Sequence, residues 1–220
     1  MSVLLPARLN RPNLLTVADI AKRFGAIPSW RIRSDPPPGT AEEADVLRVE
    51  AGEDRLCELI DGTLVEKVVG YEESILAGAI LAWLRNFVRP RRLGIVAGEA
   101  GTLKFAPGLV FIPDVSFVAF ASLPGGKRPR EPIPHIIPDL AVEILSPSNT
   151  AKEMQRKLVA YFRNGVKLVW FVDPQQRTVE VYTAPKSRTV LKASQVLTGG
   201  SVLPGFRLKL RDLFAELDEA

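Results

Sequence analysis

Cysteine and histidine are almost absent from this chain of 220 residues, which has one of each, Cys57 and His135. A single cysteine excludes an intrachain disulfide and any cysteine-based zinc site, and it is typical of a protein from a reducing cytosol. We expect Cys57 to be a small buried apolar residue. His135 lies among prolines without a second histidine, so we expect it at the surface.

Long apolar runs are also missing. No segment approaches the roughly 18 uninterrupted apolar residues that a membrane span requires. Residues 1–6 lack the charged start, the apolar stretch and the small-residue cleavage site of a signal peptide. These absences predict a soluble, cytoplasmic protein without a membrane partner.

The composition permits a folded core and a polyanionic partner. Hydrophobic residues make up 46% of the chain, which is enough for one domain with appendages. The net charge is +4 at pH 7 and the pI is near 9.3. Basic clusters at 89–92 and 127–130 lie beside prolines. Such clusters are usually solvated loops, and phosphate contact is the alternative interpretation.

The hydrophobic pattern divides the chain into an N-terminal extension, 1–45, and a folded domain, 46–220. In the extension, residues 16–24 predict a short helix capped by Thr16, followed by a proline-rich connector. The domain alternates strands and helices, which predicts an α/β (α+β) fold with a mixed sheet flanked by helices. Its predicted strands lie at 46–49, 56–60, 63–66, 94–97, 101–106, 114–120, 139–145, 168–172 and 178–182, and its helices at 71–88, 151–164 and 210–217.

An acidic residue, Glu143, interrupts an apolar, branched run at 139–145 that is typical of a buried strand. A carboxylate in such a strand is costly unless it is paired, hydrogen-bonded or bound to a metal. Because strand side chains alternate, Glu143 shares a face with Ala141, whereas Leu140, Val142 and Ile144 point into the main core. This placement favours a functional role for Glu143.

A second acid, Asp114, heads the strand at 114–120 directly after Pro113. If this strand pairs with the Glu143 strand, the two carboxylates can converge on one cation. A Pro-Asp pair before a strand is also a common turn, so both interpretations of Asp114 stay open. Hard carboxylate oxygens in a chain with so little cysteine and histidine favour Mg²⁺ or Mn²⁺ over zinc.

A lysine, Lys157, lies beside the apolar face of the helix at 151–164, one turn after Glu153. Its ammonium group could orient or deprotonate an attacking water and offset the charge of a phosphate. The alternative is an ordinary Glu153–Lys157 contact worth about 0.2–0.5 kcal/mol. Glu58 and Glu73 could complete a metal shell, although surface solvation is the default for both. Asp139 is a weaker candidate for a metal ligand than Asp114.

Five sequence blocks between residues 45 and 217 resemble the Uma-type family of restriction endonucleases, which belongs to the PD-(D/E)XK nuclease superfamily. The family's closing pattern is matched by Leu203-Pro204-Gly205-Phe206 and a short final helix. The five blocks occur in the expected order: Glu58-Leu59-Ile60-Asp61-Gly62; Ile112-Pro113-Asp114-Val115; 138–148, which contains Glu143; Lys157 with Tyr161; and Val169-Trp170-Phe171-Val172-Asp173-Pro174.

This resemblance implies a restriction-endonuclease-like core that uses a divalent metal, Mg²⁺ or Mn²⁺, to hydrolyse phosphodiester bonds in DNA. Asp114 and Glu143 would be the two motif acids and metal ligands, and Glu73 would be the acid of the first long helix. The motif lysine should stand two residues after the glutamate, where this chain has Leu145. The resemblance therefore assigns that catalytic role to Lys157. Cleavage of both strands would suit a homodimer.

Two alternatives to a nuclease remain at this stage. A decayed nuclease could keep the fold as a nucleic-acid-binding module, although both acids and the lysine are present. A structural or oligomeric interaction domain could contain Glu143 and Lys157 merely as a buried salt bridge, which would be sensitive to the loss of either partner.

Overall fold

The structure is a computed structural model and describes residues 14–25 and 27–218. Within these residues, no helix is long and apolar enough to cross a membrane. The helices are α1 (Val17–Phe24), α2 (Glu43–Glu53), α3 (Tyr71–Arg91), α4 (Ala151–Arg163) and α5 (Leu210–Ala215). The strands are β1 (Cys57–Ile60), β2 (Thr63–Glu66), β3 (Gly94–Ala97), β4 (Leu103–Ala106), β5 (Leu109–Phe111), β6 (Val115–Ala119), β7 (Leu140–Ile144), β8 (Leu168–Asp173), β9 (Thr178–Ala184), β10 (Ser187–Lys192), β11 (Val196–Gly199) and β12 (Leu203–Lys209).

The central sheet has six strands in the order β10-β9-β8-β7-β6-β3. Strands β7 and β8 are parallel, with Glu143 opposite Phe171, and α4 forms the crossover between them. Strands β6 and β7 are antiparallel, with Val115 opposite Val142. This pairing brings the start of β6, which Asp114 precedes, beside the end of β7, where Glu143 lies.

A second sheet of four antiparallel strands, in the order β2-β1-β5-β4, lies beside the first. Its hairpin turns at Asp61 and Gly62, which have φ values of 49° and 70°. Positive φ at both positions is required by the tightest hairpin turn and explains the Asp-Gly pair. The predicted hairpin is therefore confirmed.

Two cores cover the two faces of the central sheet. Leu140, Val142 and Ile144 pack with α3 and α5 on one face. Ala141 packs with α4 on the other face. The alternation predicted for β7 is confirmed, and it directs Glu143 toward α4 rather than into the larger core.

The predicted strand at 46–49 is wrong, because these residues lie inside α2. Glu42 and Asp45 form a capping box that starts the helix. Val46 and Val49 are three residues apart and are both buried on one helical face. Branched side chains suggested a strand, but the cap and the i,i+3 spacing decide the outcome. The division at residue 45 remains a prediction.

Candidate active site

Glu143 is buried at the end of β7 and is 5% exposed. Its Oε2 accepts a hydrogen bond from Lys157 Nζ at 2.8 Å, and its Oε1 accepts one from the Tyr161 hydroxyl. Both partners lie on α4, one helical turn apart. The acid in the apolar strand is therefore held by a cation and a phenol from the crossover helix.

Asp114 is 7% exposed and stands immediately before β6. Its Oδ2 accepts a hydrogen bond of 2.6 Å from the Ile144 amide, which ties it to the end of β7. Its Oδ1 lies 2.7 Å from Lys67 Nζ, and Lys67 also donates to the Ile112 carbonyl. Backbone pairing and this ion pair together fix Asp114 beside the Glu143 strand.

Lys157 connects the two sheets. Its Nζ lies 2.7 Å from Glu58 Oε1 on β1 and 2.8 Å from Glu143 Oε2 on β7. Glu58 Oε1 also accepts a hydrogen bond from the Ile112 amide at 3.0 Å. All three side chains are buried, so each charge depends on the others for compensation.

Arg31 ends a short 3₁₀ turn, Ser29–Arg31, from which it reaches the same region, and it is 4% exposed. Its two terminal nitrogens bind the Glu153 carboxylate at 2.9 and 3.1 Å, a bidentate geometry that orients both groups. Its remaining hydrogen bonds go to the Glu66 carbonyl at 3.0 Å and the Ser148 carbonyl at 3.3 Å. Arg31 thus joins the N-terminal segment to the loop between β7 and α4.

These side chains surround a cavity of about 30 Å³, which is the volume of roughly one water molecule. Acids outnumber bases among the residues that line it, by five to three. The excess negative charge and the small volume match one divalent cation. The acids are Glu58, Glu73, Asp114, Glu143 and Glu153, and the bases are Arg31, Lys67 and Lys157.

Burial and neighbouring charges set the protonation of this cluster. Burial raises the pKa of Glu143 to about 7, against the attraction of Lys157. Burial alone would lower the pKa of Lys157, but the carboxylates of Glu143 and Glu58 outweigh it and raise that pKa above its ordinary value. Burial, and then the charge of Glu143, raises the pKa of Tyr161 well above its ordinary value. Lys157 is therefore a fixed cation at neutral pH.

The donor set fits Mg²⁺ or Mn²⁺, because carboxylate oxygens are the ligands that these hard cations prefer. Glu73 is half-buried and lines the cavity beside the two motif acids. No group of three or more His, Cys, Asp or Glu residues among 14–25 and 27–218 stands in metal-binding geometry. Two carboxylates suffice for Mg²⁺, which usually keeps several of its waters.

The structure places the other candidate residues away from this cavity. Asp139 lies at the opposite end of β7, where the Ala119 amide, the Ser122 hydroxyl and Lys167 surround it. His135 is exposed and Cys57 is buried, as predicted. Burial raises the pKa of the Cys57 thiol to about 11, which makes it unreactive.

Two cavity residues, Arg31 and Lys67, were not identified from the sequence. Arg31 lies 122 positions before its partner Glu153, and no local pattern marks so distant a contact. Lys67 follows β2 directly, at the point where a buried strand leaves the sheet. A cation just past a buried strand was the one local signal that could have identified it.

The Uma2 family profile, described as "Putative restriction endonuclease", matches residues 42–211. The chain belongs to the Uma2 family. Lys67, Asp114, Glu143 and Lys157 lie inside the range matched to Uma2, whereas Arg31 lies before it.

One solved structure that resembles this chain is "a putative nuclease belonging to DUF820" from Anabaena variabilis ATCC 29413. The two share 23% identity with a TM-score of 0.66, over 74% of this chain and 92% of that chain. At this identity the likeness shows the fold alone. A search of curated proteins found no match. The predicted Uma-type resemblance and the predicted mixed sheet flanked by helices in a restriction-endonuclease-like core are confirmed.

Proposed function

We propose that this Uma2 chain is a metal-dependent endonuclease that hydrolyses phosphodiester bonds in DNA. The observation that supports it most directly is the acid excess around a cavity large enough for one ion. Placing five carboxylates beside only three cations leaves an excess of two negative charges, which a bound divalent cation would offset. The Uma2 family, whose profile is described as "Putative restriction endonuclease", supports phosphodiester hydrolysis as the class of reaction.

Asp114 and Glu143 would hold the cation, and Glu73 lines the same cavity from α3. The bound cation would polarise the phosphoryl oxygen and stabilise the leaving oxygen. The Ile144 amide keeps one Asp114 oxygen oriented, and the Tyr161 hydroxyl does the same for Glu143. The oxygens so fixed cannot rotate away from the cavity without losing these bonds.

Lys157 serves as a positioning cation in this proposal. Because its pKa is raised, it stays protonated at neutral pH and does not deprotonate water. Its ammonium group bridges Glu58 and Glu143, so it orients the carboxylate that would bind the metal. It also places a positive charge where negative charge develops on the transferred phosphoryl group.

DNA is the substrate that the charge distribution favours. The chain is basic overall, with a pI near 9.3, although its candidate active site is acidic. The basic clusters at 89–92 and 127–130 would contact phosphates of the bound DNA, which predicts binding that weakens with salt. Cleavage of both strands would require two such sites, so we propose a homodimer as the active form.

Supercoiled plasmid incubated with Mg²⁺ or Mn²⁺ tests the proposal. We expect wild-type protein to nick or linearise the plasmid and Asp114→Asn to lose this activity while remaining folded. Asp212→Asn is the matched control, because Asp212 lies exposed on α5 and pairs with the exposed Arg211. Equal cleavage by wild type and Asp114→Asn, or none by wild type with either metal, would contradict the proposal.

The second candidate function, a nucleic-acid-binding module without catalysis, is favoured by one observation. Lys67 and Lys157 already neutralise the carboxylates of Asp114 and Glu143. In a purely structural network these ion pairs would be permanent and no metal would bind. Calorimetric titration with Mn²⁺ separates the two functions, since only the nuclease requires binding that depends on Asp114 and Glu143.

A further inference from the structure

A second cavity, of about 450 Å³, lies on the same face of the central sheet as the candidate active site. It lies between β3, β6 and residues 128–136 of the loop that joins β6 to β7, and we call it the loop pocket. Ser116 of β6 lines it and pairs with Ala141, which shares the α4 face with Glu143. Ser116 is two residues after Asp114, or about 7 Å along the strand.

The floor of the loop pocket is apolar with two hydroxyls. Ile95, Val118 and Ile136 supply the apolar surface. Thr102 is 7% exposed, and its Oγ1 has no hydrogen-bond partner among residues 14–25 and 27–218. That hydroxyl is itself enclosed in the pocket wall, so a ligand on the floor meets apolar surface.

The rim of the loop pocket is basic. Arg128 and Arg130 line it and are exposed, and neither forms an ion pair within the described part of the chain. Glu131 is the acid beside them. Unpaired guanidinium groups bind phosphate with two parallel hydrogen bonds. The pocket thus combines an apolar interior with phosphate-binding groups at its mouth.

We propose that the loop pocket takes up an unpaired nucleobase of the substrate strand, next to the phosphodiester at the candidate active site, an inference that rests on the proposed function. The base lies on the apolar floor, and its phosphate lies against Arg128 and Arg130. The volume falls within the roughly 300–1,000 Å³ of small-molecule sites. A paired, stacked base cannot enter such a pocket. The preferred substrate is therefore single-stranded or locally unpaired DNA.

Binding without metal tests the pocket independently of cleavage. The probes are a fluorescein-labelled single-stranded oligonucleotide and its blunt duplex, followed by anisotropy in EDTA. Ala97→Leu adds bulk to the loop pocket from the edge strand β3, away from the acids. We expect its Kd for the single strand to rise about tenfold and its Kd for the duplex to stay within about twofold.

Two further variants separate pocket contacts from general effects. Arg128→Ala with Arg130→Ala should weaken single-strand binding and reduce its salt dependence. This exposed pair remains informative even if Ala97→Leu fails to fold. The matched control is Arg207→Ala with Lys209→Ala, two exposed cations on β12.

The outcomes distinguish this inference from the proposed function. Wild-type affinity of Ala97→Leu and of the double variant Arg128→Ala, Arg130→Ala for both probes overturns the loop pocket, even if plasmid cleavage is intact. Equal affinity of wild type for single strand and duplex also overturns it. Loss of single-strand preference in the pocket variants supports it, even if no cleavage is found and the proposed nuclease fails.

Discussion

Asp139, which directly precedes β7, and Glu143, near the end of β7, are both buried acids, yet their surroundings differ. Asp139 is 3% exposed and is saturated by a backbone amide, a serine hydroxyl and Lys167, whose own side chain is 62% exposed. Glu143 is bound by Lys157 and Tyr161, which are both buried. The apolar pattern of the sequence predicts that both acids are buried, but it does not distinguish their surroundings.

The difference lies in what surrounds each carboxylate. Around Asp139 the hydrogen bonds tie the loop after β6 and the start of β8 to β7. Around Glu143 the acids exceed the bases and a cavity of about 30 Å³ is present. A buried acid becomes a candidate for catalysis when its neighbourhood is undercompensated, rather than because it is buried.

The largest expected effect is on Lys157→Met. This change leaves Glu58 and Glu143 without their shared cation, and breaking a buried ion pair on one side costs about 3–5 kcal/mol. Urea unfolding followed by circular dichroism measures the loss. An unchanged midpoint would show that the ammonium group does not hold the two carboxylates.

The next prediction compares Glu143→Gln with Asp139→Asn. We expect Glu143→Gln to lower the cleavage rate about 100- to 1,000-fold, because it removes a charge from the proposed site of phosphodiester hydrolysis. Asp139→Asn should keep the rate within about threefold but lose about 1–3 kcal/mol, because its partners are left imperfectly paired. Plasmid cleavage and urea unfolding of both variants provide the measurements. Similar activity losses in the two variants would remove the distinction between the two acids.

Arg31→Met should destabilise the protein by about 3 kcal/mol, because it leaves Glu153 buried without its bidentate partner. The double variant Arg31→Met, Glu153→Met should recover part of that loss, since no charge then remains unpaired. Urea unfolding of the single and double variants is the measurement. If removal of Arg31 is harmless, the N-terminal segment does not complete the site.

The sequence predicted β7, its alternation and the hairpin because each depends on residues close together in the chain. Glu143 and Lys157 were found for the same reason, since strand and helix periods assign their faces. Arg31 was not, because its partner Glu153 is brought to it only by the fold. The strand predicted at 46–49 gave more weight to the branched side chains of Val46 and Val49 than to the capping box that starts α2.

Cation binding should depend on pH through Glu143. Its pKa is raised to about 7 by burial, and only the deprotonated carboxylate binds a metal. The affinity for Mn²⁺ should therefore weaken as the pH falls below 7, by about tenfold per pH unit, and level off above pH 8. Calorimetry in buffers of different ionisation enthalpy would also detect the released proton. An affinity that is constant between pH 6 and 8 would place the titrating group elsewhere.

The smallest expected effect is on Lys167→Met, which completes the comparison between the two acids. Lys167 is the cationic partner of Asp139 as Lys157 is of Glu143, but it is mostly exposed, and an exposed ion pair contributes about 0–1 kcal/mol. The Ala119 amide and the Ser122 hydroxyl remain to satisfy Asp139 after the change. We expect a loss below about 1 kcal/mol that shrinks further in high salt, measured by urea unfolding beside Lys157→Met. A loss as large as that of Lys157→Met would mean that both acids rely equally on their lysines, and burial of the cation would no longer explain why only one of the two acids lies in a reactive environment.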